Sequence, residues 1–277
     1  MHKLKFALAL VAACALSLPS FAQQTKPYEP QVGQAGKDVI WVPTPDEVVD
    51  RMLRMAQTTP NDYVVDLGAG DGKIAIAAAK KFGAKSLGIE YNPEMAKHAQ
   101  SQVEKAGVAQ RARIIQGDIF ATNFTDATVV TMYLLPALNL KLRPQILAMR
   151  PGTRVVSHSF TMDDWEPDES SSMDGRRAYF WVVPANVMGS WALEAGPDRS
   201  ELRFEQRYQK IEGTIGLGGT VQGGLRAARL RGFAIAFAYV DQAGVRRDFT
   251  GRVTGNRMEG SFRTEDGKEG RWSATKK

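Results

Sequence analysis

The stretch Asn61–Tyr91 limits what this chain can fold into more than any other. Tyr63 to Leu67 is a short, largely apolar run, the pattern of a strand buried on both faces. It carries Asp66 near its end and runs into three alternate glycines, Gly68, Gly70 and Gly72. Ile74 to Phe82 is rich in Ala and Lys, which favour helix. Lys85 to Glu90 reads as a second strand and again ends in an acid. Strand, glycine turn, helix, strand and acid make half of a nucleotide-binding α/β sheet.

Glycine spacing separates two cofactor classes. Dinucleotide sites need G-x-G-x-x-G, which seats a pyrophosphate on the helix N-terminus. Here the third glycine comes one residue early, and Lys73 stands at the dinucleotide position. The run Asp66-Leu67-Gly68-Ala69-Gly70-Asp71-Gly72 resembles motif I of the class I, seven-strand S-adenosylmethionine-dependent methyltransferases. The resemblance implies S-adenosyl-L-methionine as cofactor. Glycines without a Cβ let the backbone approach it. Asp66 would face its methionine ammonium, and Glu90 would accept hydrogen bonds from its ribose hydroxyls. A glycine triplet alone could be a plain capped turn; the two strand-ending acids argue against that.

The rest of this half follows the same alternation. Gln23 to Lys37 is a polar, proline-containing arm, and Pro43-Thr44-Pro45 precedes a helix from Asp46 to Met55. By the resemblance this entry folds over the methionine end of the cofactor, with Thr44 on its carboxylate; Thr44 as a helix-start residue is the alternative. Asn92-Pro93 starts a helix that Gly107 stops. A strand from Arg113 to Gln116 leads into Asp118 and Ile119, which the resemblance places on the adenine amino group and ring. Thr128 to Tyr133 and Thr153 to Ser159 are further strands. Between them Pro136 to Met149 reads as a helix broken near Pro144. Ligands lie beyond the carboxyl ends of such strands, so Tyr133 and His158 are candidates to assist catalysis, although a lone histidine is more often structural. No Asn-Pro-Pro-Tyr-like tetrapeptide follows the fourth strand, which argues against methylation of nucleobase amines, so no nucleic acid partner is expected. Glu169 to Gly175 reads as a mobile loop, and Ala178 to Val183 closes the sheet.

Beyond Pro184 the period changes to short alternating runs separated by Gly, Asp and Asn. About eight strands at hairpin spacing predict an antiparallel meander or small barrel. Six glycines between Gly213 and Gly224 read as hairpin turns rather than a phosphate loop, because no Lys-Ser/Thr pair and helix follow.

Charge and the leader bear on where such a chain works. Lys3 and Lys5 precede an apolar run from Phe6 to Leu18, and Ser20 and Ala22 fit a signal-peptidase site. The expectation is export, to the periplasm. A membrane anchor and a lipoprotein acylated at Cys14 are the alternatives. Cys14 is the single cysteine, so a cleaved chain has no disulfide, no thiolate nucleophile and no cysteine metal site; no metal is expected. From Glu201 to Lys277 there are 15 Lys and Arg against 9 Asp and Glu. That surplus suits an acidic protein surface or an anionic membrane surface.

The expected organisation is a signal peptide over 1–22, a linker over 23–37, a Rossmann-like seven-strand methyltransferase sheet over 38–185 and an antiparallel β domain over 186–277. Thr-Pro, Gly88-x-Glu90-x-Asn92-Pro93 and Phe160 to Pro167 with its Trp165 make the chain similar to small protein-lysine methyltransferases of mitochondrial inner-membrane proteins. The β region resembles the trailing domain of exported bacterial methyltransferase-like proteins. Methyl transfer from the sulfonium to a nucleophile such as a protein lysine is the expected activity. A non-catalytic exported protein that holds adenosylmethionine or a related nucleoside is the competing one.

Overall fold

The computed structural model describes residues 28–217 and 220–277. The expected leader lies outside the described residues. The first half alternates helix and strand: α1 (Asp46–Met55), β1 (Tyr63–Leu67), α2 (Lys73–Phe82), β2 (Lys85–Glu90), α3 (Pro93–Lys105), β3 (Ala112–Gln116), β4 (Val129–Met132), α4 (Pro136–Leu147), β5 (Arg154–His158), β6 (Glu169–Met173) and β7 (Arg176–Val182). The seven strands form one sheet in the order β3-β2-β1-β4-β5-β7-β6. β1 to β5 are parallel, and β7 and β6 run antiparallel at one edge. Strand order reverses between β1 and β4, which opens a crevice at their carboxyl ends. One face of the sheet packs on Val48, Met52 and Leu53 of α1, and the other on Leu142 and Ile146 of α4.

Two expectations of this half are corrected. The helix does not break near Pro144; α4 runs through it to Leu147. Leu142 and Ile146 are fully buried on either side of the proline. Their packing outweighs the ~3 kcal/mol that an interior proline costs. The stretch expected to be a mobile loop forms β6, an edge strand zipped to β7 from Glu169↔Phe180 to Met173↔Arg176. Arg51 Nε donates to Ser171 Oγ (2.6 Å) and holds this polar edge to α1.

The second half is a nine-stranded antiparallel sheet: β8 (Gly189–Ala195), β9 (Asp198–Arg207), β10 (Lys210–Leu217), β11 (Thr220–Gly224), β12 (Arg226–Arg231), β13 (Ala234–Val240), β14 (Arg246–Thr254), β15 (Arg257–Thr264) and β16 (Glu269–Lys276). Pairing of β16 with β8 bends it round, and its two edge strands, β11 and β12, are neighbours in the chain. The Leu225 N–H donates to Gly213 O (2.8 Å), which carries the β10–β11 pairing up to the start of β12; β12 thereby returns close to β10, so the sheet is nearly closed. The glycine-rich segment hid β11 from the pattern. On β10 a glycine serves close backbone approach, since a Cβ on Gly213 would lie 2.6 Å from Arg203 O, whereas a Cβ on Gly223 or Gly224 of β11 would meet nothing within 4 Å. The interior is filled by Trp191, Phe204, Phe237, Phe249, Met258 and Trp272.

The nearly closed sheet covers the end of the first sheet. Trp165 is fully buried, stacks on Tyr208 (5.9 Å between ring centres) and donates through Nε1 to Gln209 Oε1 (3.0 Å). Asp164 accepts from Arg207 (2.7 Å), Tyr208 (3.1 Å) and Arg143. The Ala185 N–H donates to Gly232 O (2.8 Å). A chain ending at Ala185 uncovers Trp165. Calorimetry should find it aggregated or melting at least about 5 °C below the full chain; an unchanged melting temperature would show that the cover is dispensable.

Candidate functional site

A cavity of about 340 Å³ opens at the carboxyl edge of β1, β2 and β4. Its floor is the glycine turn. The N–H groups of Gly68 and Ala69 both donate to Ile89 O (3.0 Å each), which folds the turn back against β2. Gly68, Gly70 and Gly72 all have positive φ (77°, 53° and 79°). Gly68 and Gly70 line the cavity, whereas Gly72 does not. Gly72 caps α2, and a Cβ there would press on Ala99 (3.2 Å) and Ile114 (3.3 Å), so its work is helix packing.

The acids stand where strand ends put them. Asp66 is opposite Thr131 in the β1–β4 register, and Thr131 Oγ1 donates to it (2.7 Å). Burial pushes its carboxyl up to about 7; the Thr131 hydrogen bond opposes this, while Asp71 and Glu90 add to it. Each Glu90 oxygen accepts one backbone N–H, from Gly70 (2.9 Å) and from Asn92 (2.9 Å). A carboxylate has about four acceptor sites, so Glu90 braces the turn and retains capacity for hydroxyls. Asp118 and Ile119 line the same cavity. Lys37 donates to Asp118 Oδ2 (2.8 Å) and the Phe120 N–H to Oδ1 (2.9 Å), which hold that carboxyl below its usual range.

Thr44 also lines the cavity and is buried. It makes no helix-cap bond; the cap position of α1 belongs to Pro45. Its Oγ1 lies 3.2 Å from His158 Nδ1. Tyr133 lines the cavity beside Leu134, Leu135, Leu138 and Phe160. His158 does not reach the lining, contrary to expectation. It is buried behind Tyr133, with ring centres 4.0 Å apart, and burial, then Arg176, push its pKa down to about 4. A neutral imidazole with that basicity is a poor base for an amine.

Sequence reasoning missed the roof. The segment from Gly33 to Trp41 folds into a strap through Gly33 N–H to Trp41 O and Trp41 N–H to Gln34 O (2.9 Å each). Trp41 lies so close to Gly70 that a Cβ there would run into its indole nitrogen. Lys37 stands 4.9 Å from the Tyr91 ring centre as well as on Asp118. The apolar run Val39-Ile40-Trp41-Val42, just before a proline, was the signal for Trp41; Lys37 had none.

The site fits a nucleoside with a cationic amino-acid end. It offers a buried acid at the switch point, a second acid on the glycine turn and a third at the far end. Comparison with known proteins agrees. The family described as the ANTKMT methyltransferase domain matches residues 66–169. A protein-lysine N-methyltransferase of Saccharolobus islandicus is 47% identical over 52% of this chain and 94% of its own length. The mouse adenine nucleotide translocase lysine N-methyltransferase is 30% identical over 43% of this chain and 52% of its own. The crystal structure of an RNA methyltransferase from Salinibacter ruber, with S-adenosyl-L-homocysteine, superposes with a TM-score of 0.52 at 46% identity. It covers 53% of this chain and 96% of its own.

Two outcomes are expected. The folded state keeps on Asp66 a proton that the unfolded chain releases near 3.8, so this group's stabilisation of the cofactor-free protein is lost as pH rises from about 3.8 to about 7. A ligand ammonium favours the ionised form. Binding of adenosylmethionine should therefore release a proton below pH 7 and tighten as pH approaches 7. Calorimetry in buffers of different ionisation enthalpy measures this, and Asp66→Asn should abolish the release. Separately, Lys37 competes with an adenine amino group for Asp118. Lys37→Gln should tighten binding or speed association by about two- to five-fold and reduce its salt dependence, as for an exposed ion pair; weaker binding would mean that Lys37 assists the ligand.

Proposed function

Because the chain belongs to the ANTKMT methyltransferase family, we propose that its acceptor is the side-chain amine of a protein lysine. One observation carries this reading: the cavity has an acidic cofactor side, Asp66 and Glu90, and an apolar far side, Tyr133, Leu134, Leu135, Leu138 and Phe160. Adenosylmethionine, when bound, supplies an electrophilic methyl group that passes to the lysine nitrogen while the sulfur keeps the bonding pair. The chain's own residues align and desolvate. Asp66 and Thr44 would hold the methionine end, Glu90 the ribose, and Asp118 with Ile119 the adenine. An amine with a reference pKa of about 10.4 must first lose its proton. The apolar far wall promotes that loss, because burial disfavours the ammonium form. Fixing the reacting atoms in line and excluding water is the larger contribution expected of such a site.

The protein-lysine methyltransferases among the relatives support a protein acceptor, and the RNA methyltransferase from Salinibacter ruber makes RNA the reading to exclude. Family membership favours catalysis over the non-catalytic binding reading. The nearly closed sheet is filled with aromatic side chains, so a partner would meet its outside, where Arg203, Arg226, Arg229, Arg231, Arg252 and Arg271 are exposed. We propose an acidic protein surface as that partner, in the envelope if the leader directs export.

Purified protein incubated with methyl-labelled cofactor and an envelope extract tests the reading. Labelled protein bands that yield methyl-lysine on hydrolysis are expected, weaker at high salt as screening shortens from about 10 Å to about 3 Å between 0.1 and 1 M. Label recovered in RNA, or cofactor binding without any label, would overturn it.

A further inference from the structure

The β4–β5 register ends with Met132 opposite Ser157, so the next residues, Tyr133 and His158, stand side by side at the carboxyl edge of the sheet. Thr44 arrives from a third segment, the entry to α1, and meets His158 Nδ1 at 3.2 Å. Tyr133 and Thr44 face the cavity, while His158 faces neither solvent nor cavity. The imidazole is thus held from two sides: Tyr133 packs on its ring at 4.0 Å, and Thr44 takes Nδ1. Nothing in the reading above uses it.

We propose that His158 is a positioning residue for the cofactor: it fixes the direction of the Thr44 hydroxyl, and with it the contact that Thr44 offers to the cofactor's methionine end. The inference rests on the methyltransferase reading. A free threonine hydroxyl divides its time among staggered positions. Bonded to an imidazole that cannot turn, it presents one fixed orientation to the cavity. Burial keeps that imidazole neutral at physiological pH, so it adds no positive charge beside a ligand that already carries a sulfonium and an ammonium. Tyr133 contributes by locking the plane of the ring.

A double-mutant cycle on the full chain tests this, with adenosylmethionine affinity measured by calorimetry and folding checked by thermal melting. His158→Phe keeps an aromatic ring against Tyr133 and removes the Thr44 partner. It should weaken binding about five-fold, the worth of one hydrogen bond. Thr44→Val should do the same, and the double variant should be no worse than either, because the two act through one contact. His158→Asn places an amide near the former Nδ1 position and should restore affinity to within about two-fold of the wild type. Additive losses, or a His158→Phe protein that binds as the wild type does, would overturn the proposal. If the wild type binds neither adenosylmethionine nor its demethylated product, the methyltransferase reading itself fails, which is a different result from wild-type binding with additive variants.

Discussion

The pairing of Asp66 with Thr131 is the contact on which the cofactor site depends. It joins β1 to β4, the two strands between which the order of the sheet reverses. A carboxyl fully buried at such a point is costly to ionise without a counter-charge. One hydrogen bond from a threonine satisfies one oxygen and leaves the group ready for a cation. Around it the strap, the glycine turn and the aromatic wall form a chamber with few charges, and those present are mostly acidic. The chemistry that suits this chamber is one in which the ligand brings the positive charge.

What was legible in the sequence follows from how local each signal is. Asp66, the glycines and Glu90 lie within one strand–turn–helix–strand unit, so their spacing alone sets their relative positions. Asp118 was legible for the same reason, as the first acid beyond the next parallel strand. His158 was misjudged because its position depends on which face of β5 looks toward α1, and a strand buried on both faces carries no alternation to decide this. Gly72 looked equivalent to Gly68 and Gly70 in the motif, yet only packing against Ala99 and Ile114 reveals that it serves the helix rather than the ligand. The strap went unread because its hold on the site is a pair of long-range contacts, Lys37 to Asp118 and Trp41 to Gly70: Lys37 ends a stretch that resembles a polar linker, and the apolar run around Trp41 signals burial without saying against what.

The β half was legible as a class but not in its purpose. Alternation marked the strands, and β11 was masked because an exposed edge strand ending in Gly223 and Gly224 buries no alternating face and carries no hydropathy signal. No local pattern could indicate that Trp165, in the loop after β5, would be buried by Tyr208 of the other sheet. Long-range burial of this kind is set by tertiary packing, for which one sequence has no periodicity.

That loop ties the two halves of the molecule to the chemistry. Phe160 at its start walls the far side of the cavity, while Asp164 and Trp165, a few residues on, hold the nearly closed sheet. Between them the backbone has little freedom. Asn139 Nδ2 donates to Thr161 O (3.1 Å), Arg143 to Met162 O (2.9 Å), and Ser159 and Asp163 adopt positive φ (63° and 57°). A residue with a side chain stays in that conformation only when its surroundings over-determine it. Here the over-determination comes from α4 on one side and from the β sheet on the other. The added sheet therefore need not touch the acceptor to matter: by fixing Asp164 and Trp165 it limits how far the wall at Phe160 can move, and with it the width of the space beside Tyr133.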